Sequence, residues 1–165
     1  MKGDAMTRVS TAGVCDEAHH NEQSDREYQT TIPDPAEVRN LSAHELGKMG
    51  ELIAASYLDE RGYDILEHSY RCPEGEADLI AYDPVEECVV LVEVKSRRVA
   101  DGSVLPEEAV DAKKRKRYRR IAACYIMDRF PVMAIRFDVI AITFMDGELA
   151  HLEHIYEAFD WEVDR

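Results

Sequence analysis

The sequence predicts an α/β fold: a mixed β-sheet flanked by helices, in the order helix, three strands, helix, strand. Three observations predict it. Apolar residues recur at helical spacing in two stretches, one after residue 42 and one before residue 128. Between them lie three strand-like runs, the strongest being the valine-rich Cys88 to Lys95. The turn Asp83-Pro84-Val85-Glu86 joins the last two runs as an antiparallel hairpin, which argues against a purely parallel, doubly wound sheet.

Taken in order, residues 1–40 are polar and aperiodic and read as a flexible N-terminal extension. His19 and His20 in it read as a solvated pair, and Pro33 and Pro35 mark its end. Residues 41–165 form the globular domain. Ser42 and Glu45 make a capping box that opens the first helix. Leu46, Met49, Ile53, Tyr57 and Leu58 form its apolar stripe, and Gly62 places its end at Arg61. Strands are predicted over Tyr63 to Arg71, Glu76 to Tyr82 and Cys88 to Lys95, followed by a polar loop from Arg98 to Ser103. A second helix is expected from Pro106, a good first-turn residue, to Asp128, with Tyr118, Ile121, Ala122 and Tyr125 facing inward. A strand over Met133 to Phe144 and an Asp146-Gly147 turn come next. The acidic C-terminal segment, with Leu149, Leu152, Ile155 and Phe159, reads as a short strand and then a loop packed on the core.

The chain has 165 residues, enough for one domain plus extra chain, and 45% hydrophobic residues, enough for a real core. Its 34 acidic and 20 basic residues give a net charge of −14, which weighs against a simple basic nucleic-acid binder. No apolar run approaches the ~18 residues of a membrane span, and the N-terminus carries no apolar signal segment, so a cytoplasmic protein is expected. Cys15, Cys72, Cys88 and Cys124 are far apart and form no CxxC pair; they read as free thiols, not as a structural zinc site.

The chemistry concentrates in Gly75-Glu76-Ala77-Asp78-Leu79-Ile80 and Val92-Glu93-Val94-Lys95. Side chains alternate along a strand, so Asp78 shares a face with Glu76 and Ile80, and Glu93 with Leu91 and Lys95. The hairpin can bring Asp78 beside Glu93 and Lys95. Carboxylates on so apolar a sheet need a partner or a cation. Two of them together suit a hard cation such as Mg²⁺, and a nearby lysine can position water or stabilise charge developing on phosphate. The same residues also fit an exposed cross-strand ion pair at a sheet edge.

A second signal is basic. Between Lys95 and Arg120 lie ten of the 20 basic residues, against Asp101, Glu107, Glu108 and Asp111, a local charge of +6. Lys113, Lys114, Arg115, Lys116, Arg117, Arg119 and Arg120 fall within eight positions, more than solubility requires. Such a stripe can track phosphates, or can be one solvated helix face. Arg136 and Asp138 share a strand face and read as a structural pair; His151 and His154 read as a surface pair.

Asp78 followed by Glu93-Val94-Lys95 resembles the D…(D/E)-x-K core of the restriction-endonuclease-like, PD-(D/E)xK nucleases. The wider set is closer still. Gly47-Lys48-Met49-Gly50-Glu51, Ala54, Tyr57-Leu58, Gly62-Tyr63, Gly75 to Ile80, Val92 to Arg97, Lys113 and Arg136-Phe137-Asp138-Val139 resemble the YraN family of bacterial endonucleases predicted from their fold, over Leu41 to Phe159. The resemblance implies a restriction-endonuclease-like core with Asp78 and Glu93 as metal ligands, the Val94 carbonyl as a third, and Lys95 as the catalytic lysine. It implies Glu51 as the acidic residue of the first helix that completes such a site; a helix-surface pair with Lys48 is the alternative. Glu76 is either a supporting residue or a turn residue. Ala77 and Ser69 depart from the family's usual larger aliphatic residue and Asn, away from the ligands.

The expectation is therefore a cytoplasmic nuclease that uses Mg²⁺ or Mn²⁺ to hydrolyse phosphodiester bonds in DNA, branched or flapped by superfamily analogy. Catalysis would rest on Lys95, Asp78, Glu93 and Glu51, the last three holding metal. Nucleic acid would be contacted by Arg97, Lys113, Lys114, Lys116, Arg117 and Arg120. The rival expectation is a non-catalytic nucleic-acid-binding adaptor on the same fold; a hydrolase of small phosphate esters is a third.

Overall fold

Seven elements follow one another: α1 (Ala43–Asp59), β1 (Asp64–Cys72), β2 (Gly75–Asp83), β3 (Cys88–Val99), α2 (Ala112–Asp128), β4 (Ile135–Met145) and β5 (His151–Ile155). They come from a computed structural model that describes residues 38–99, 111–145 and 151–161. Most of the expected extension, with Cys15, His19, His20, Pro33 and Pro35, lies outside the described residues, as do Pro106 and the Asp146-Gly147 turn. The fold is α/β, a five-stranded mixed sheet flanked by two helices, consistent with a restriction-endonuclease-like core.

The strands lie in the order β1-β2-β3-β4-β5. The pairs β1–β2, β2–β3 and β4–β5 are antiparallel, while β3–β4 is parallel, its connection carrying α2. Parallel pairs need cover on both faces, and β4 has nine consecutive buried residues. On one face α1 sets Leu46, Ala54 and Leu58 against Leu79, Val90, Val92 and Ile140. On the other, α2 sets Tyr118, Ile121, Ala122 and Tyr125 against Ile80, Leu91 and Phe137.

Local chemistry fixes the boundaries. The capping box at Ser42 and Glu45 is present in full. Helix α1 stops at Asp59, two residues before the expected Arg61, because the chain turns through Gly62 at φ +84°, where its N–H donates to the Asp59 carbonyl at 2.9 Å. Gly50 lets α1 lie directly on β3: a Cβ there would sit 1.8 Å from Ser96 Oγ. Ser69 has φ 52°, a region that Asn tolerates better than Ser. Strand β3 runs on to Val99, beyond the expected Lys95, because its parallel ladder with β4 continues from Lys95↔Ala141 to Val99↔Met145. Helix α2 begins at Ala112 and is not continuous from Pro106, because Asp111 is extended and its carboxylate caps the Lys114 N–H at 2.8 Å. The fourth strand starts two residues after the expected Met133, at Ile135, where pairing with Val89 begins. Past β5, Phe159 stacks on Phe137 with ring centroids 4.7 Å apart, the core contact expected of the C-terminal segment.

Under α1 lies a buried ionic network. Arg136 donates to both oxygens of Asp138 at 2.9 Å, to Asp83 at 2.9 Å and to the Tyr63 hydroxyl at 3.0 Å. His154 Nε2 lies 2.9 Å from Asp138 Oδ2. The expected surface pair of histidines is thereby corrected: His151 is exposed, but the His154 side chain is 2% exposed, turned inward by Asp138 and stacked on Tyr156 at 3.9 Å. Asp83 also receives the Val85 and Glu86 N–H groups, so the β2–β3 turn and the network share one carboxylate.

Removing the one arginine leaves buried carboxylates without their cation. Arg136→Met is expected to lower unfolding free energy by about 3–5 kcal/mol, measured by urea denaturation at neutral pH. A loss below about 1 kcal/mol, the level of an exposed pair, would contradict the network's role.

Candidate active site

Registered pairing between β2 and β3 runs from Asp83↔Cys88 to Leu79↔Val92. At the next residue the ladder gives way to a side chain: Asp78 Oδ2 accepts the Val94 N–H at 2.8 Å. Asp78 therefore sits where the two strands part. A cleft of about 350 Å³ opens there, lined by His44, Lys48 and Glu51 of α1, Arg71, Glu76, Asp78, Glu93, and Arg117 of α2. The topology thus brings Asp78, Glu93 and Glu51 to one place from three elements.

Glu93 ends a run of six buried residues and is itself 8% exposed. A carboxylate there needs partners, and α2 supplies two. Lys114 Nζ forms an ion pair with Oε1, and the Tyr118 hydroxyl donates to Oε2. Lys114 and Tyr118 are one helical turn apart, so they leave the helix on the same side. Burial, then the charges of Glu93 and Asp78, hold the Tyr118 hydroxyl well above its usual range, so it remains a donor.

Burial also pushes the Asp78 carboxyl up to about 7; the negative charges of Glu93 and Glu51 add to this, against the Val94 hydrogen bond and Lys114. Three carboxylates that repel one another in a partly dry cleft are the donor chemistry of a hard dication. Among the described residues, however, no three His, Cys, Asp or Glu side chains converge tightly enough to hold a metal as they stand. Both Glu93 oxygens are engaged by Lys114 and Tyr118. Glu51 meanwhile pairs with Lys48 at 2.8 Å and Glu76 with Arg71 at 3.0 Å.

The remaining predicted residues divide. Lys95 is half-buried on β3, two positions beyond Glu93. Arg97 donates to Thr143 Oγ1 at 3.0 Å on the neighbouring strand. Lys113, Lys116 and Arg117 are exposed on α2, while Arg120 pairs with Glu74 at 3.0 Å. The basic stretch is thus not one solvated face: Lys114 turns into the site and Arg117 lines the cleft. Sequence reading assigned Tyr118 to the core and missed its hydroxyl; the Lys114-x-x-x-Tyr118 spacing was the available signal.

The folded carboxyl of Asp78 titrates near 7, whereas an ordinary one titrates near 3.8. As pH rises, the unfolded chain loses this proton first, so Asp78 weakens the fold progressively between those values and by a constant amount above them. Asp78→Asn keeps an acceptor for Val94 and removes the charge. In chelator, it is expected to exceed wild type in stability by about 2–4 kcal/mol at pH 8 and to match it at pH 4, by guanidinium unfolding. A difference independent of pH would contradict the assignment.

Comparison with known proteins places the chain in a family. Residues 50–142 match the model of the uncharacterised protein family UPF0102. A UPF0102 protein of Syntrophus aciditrophicus is 44% identical over 120 residues, covering 72% of this chain and 91% of the relative. One from Dictyoglomus thermophilum is 38% identical over 121 residues, covering 72% and 100%. One from Desulforamulus reducens is 39% identical over 122 residues, covering 72% and 98%. The matched stretch includes Asp78, Glu93, Lys95, Lys114 and Tyr118. The chain belongs to the UPF0102 family, the YraN family of the sequence resemblance.

Proposed function

We propose that this protein is a cytoplasmic, Mg²⁺-dependent nuclease that hydrolyses phosphodiester bonds in DNA. The observation that carries the reading is the meeting of Asp78, Glu93 and Glu51 in one cleft with Arg117 and Lys48 on its walls. The carboxylates would hold Mg²⁺ or Mn²⁺, with the Val94 carbonyl as a further donor. When bound, the metal supplies Lewis-acid polarisation of a phosphoryl oxygen. Lys95 would orient the attacking water and counter the charge developing on the phosphate. Arg117, with exposed Lys113 and Lys116 on the same helix, would contact neighbouring phosphates. No helix among the described residues is long and apolar enough to cross a membrane.

One observation favours a second reading. Glu93 is already matched by Lys114 and Tyr118, as it would be in an adaptor that binds nucleic acid and cleaves nothing. In the nuclease reading, Glu93 would hold the metal in place of its ion pair with Lys114.

Cleavage of branched and flapped DNA separates the two. Wild type with Mg²⁺ is expected to cleave, and Asp78→Ala, Glu93→Ala and Lys95→Ala are each expected to fall roughly 10²-fold or more. Equal cleavage by wild type and the triple variant would remove the site from the chemistry. Saturable, salt-sensitive DNA binding without cleavage would favour the adaptor.

A further inference from the structure

Helix α2 meets the sheet along a seam that ends at the β1–β2 turn. A Cβ on Gly75 would lie 3.3 Å from Arg117 Cδ and 3.3 Å from Ile121 Cδ1, so the turn touches the helix directly. One helical turn further, Tyr125 meets Tyr70 edge-on at 5.2 Å, and Arg120 reaches Glu74 at 3.0 Å. Cys72 lies between Tyr70 and Gly75; Cys124 lies between Ile121 and Tyr125. Contacts on both sides therefore bring the two residues to the same stretch of the seam, where Cys72 packs against the cluster that holds Ile121 and Tyr125. Both are free and half-buried, within reach of a small reagent, whereas Cys88 is buried.

We propose that Cys72 and Cys124 are an oxidisable pair, whose disulfide staples α2 to the β1–β2 turn. The oxidant class is a small-molecule disulfide such as oxidised glutathione. One cysteine, as thiolate, attacks a sulfur of that reagent; its S–S bond breaks and one glutathione leaves as thiolate. The second cysteine loses its proton to solvent and attacks the protein sulfur of the mixed disulfide, releasing the second glutathione. Two cysteine thiols are oxidised and one reagent disulfide is reduced to two thiols. The staple closes a long loop that includes β2, β3 and the start of α2, and it fixes the helix that presents Lys114 and Tyr118 to Glu93. The neighbouring Cys72 thiol favours the neutral form of Cys124, so bridging is expected to be slow.

The full chain, purified reduced, is incubated with rising ratios of oxidised to reduced glutathione, trapped with acid, and digested without reductant for mass spectrometry. The expected dominant product is an intramolecular Cys72–Cys124 peptide pair. Oxidised wild type should melt several degrees above its reduced form. Cys72→Ser and Cys124→Ser, with Cys72→Ala and Cys124→Ala as second variants, should abolish the bridge and leave glutathione on the remaining partner. Separate glutathione adducts on both residues of wild type at full oxidation would overturn the proposal, as would bridges to Cys15, to Cys88 or between copies. A Cys72–Cys124 bridge that lowers the melting temperature would also overturn it, because it would not fit this fold.

Discussion

A carboxylate at the end of a buried strand cannot stand alone, and much of this molecule is arranged around that constraint. Glu93 closes a run of six buried residues on the central strand, in surroundings that favour neutral groups. The positive charge it needs comes from α2, through Lys114, and a neutral donor comes from Tyr118 of the same helix. This contact ties the helix to the sheet at the point where β2 and β3 part. Asp78 sits at that point because its carboxylate takes the Val94 N–H where registered pairing with β2 has ended. The cleft and its clustered acids lie where this buried charge meets its neighbours, while the apolar face of α2 seats the helix on the sheet.

The two faces of the sheet treat charge differently. Under α1, Arg136 is shared among Asp138, Asp83 and Tyr63, and His154 adds a further contact to Asp138. In that cluster the buried carboxylates share one guanidinium, which Glu86 also reaches at 2.6 Å, and the contacts have the character of a lock. Under α2, Asp78 keeps a carboxyl poised near neutrality beside Glu93, with Glu51 close enough to be felt. These clustered acids are what the proposed cation site rests on. The net charge of −14 is likewise misleading as a single number. Basic residues of α2 are distributed among the site, the cleft wall, the seam at Glu74 and solvent, so phosphate contact would be confined to one end of the helix and would weaken steeply with salt.

Much of this was readable in the sequence where the signal is local. The Ser42 and Glu45 cap, the valine run and the Asp83 turn each have a short-range cause, and each appears in the structure. Asp78 and Glu93 were readable because charge on an apolar strand is conspicuous. What was not readable depends on tertiary contact. Strand β3 outlasts its apolar pattern because β4 continues to pair with it. His154 is buried because Asp138 waits for it from a neighbouring strand. Tyr118 looked like core because an apolar ring and a buried hydroxyl have the same periodicity. Lys114 looked like surface because nothing in its neighbours says that a glutamate lies across the seam.

If Glu93 and Asp78 form a cation site, the Lys114 ammonium stands in for the metal there by pairing with Glu93. Calorimetric titration of Mn²⁺ into wild type, Lys114→Met and Asp78→Ala tests it most directly. Measurable uptake is expected in wild type, roughly tenfold tighter uptake in Lys114→Met because a competing ammonium worth about 1.4 kcal/mol is gone, and loss of uptake in Asp78→Ala. Absence of uptake in both wild type and Lys114→Met would contradict it.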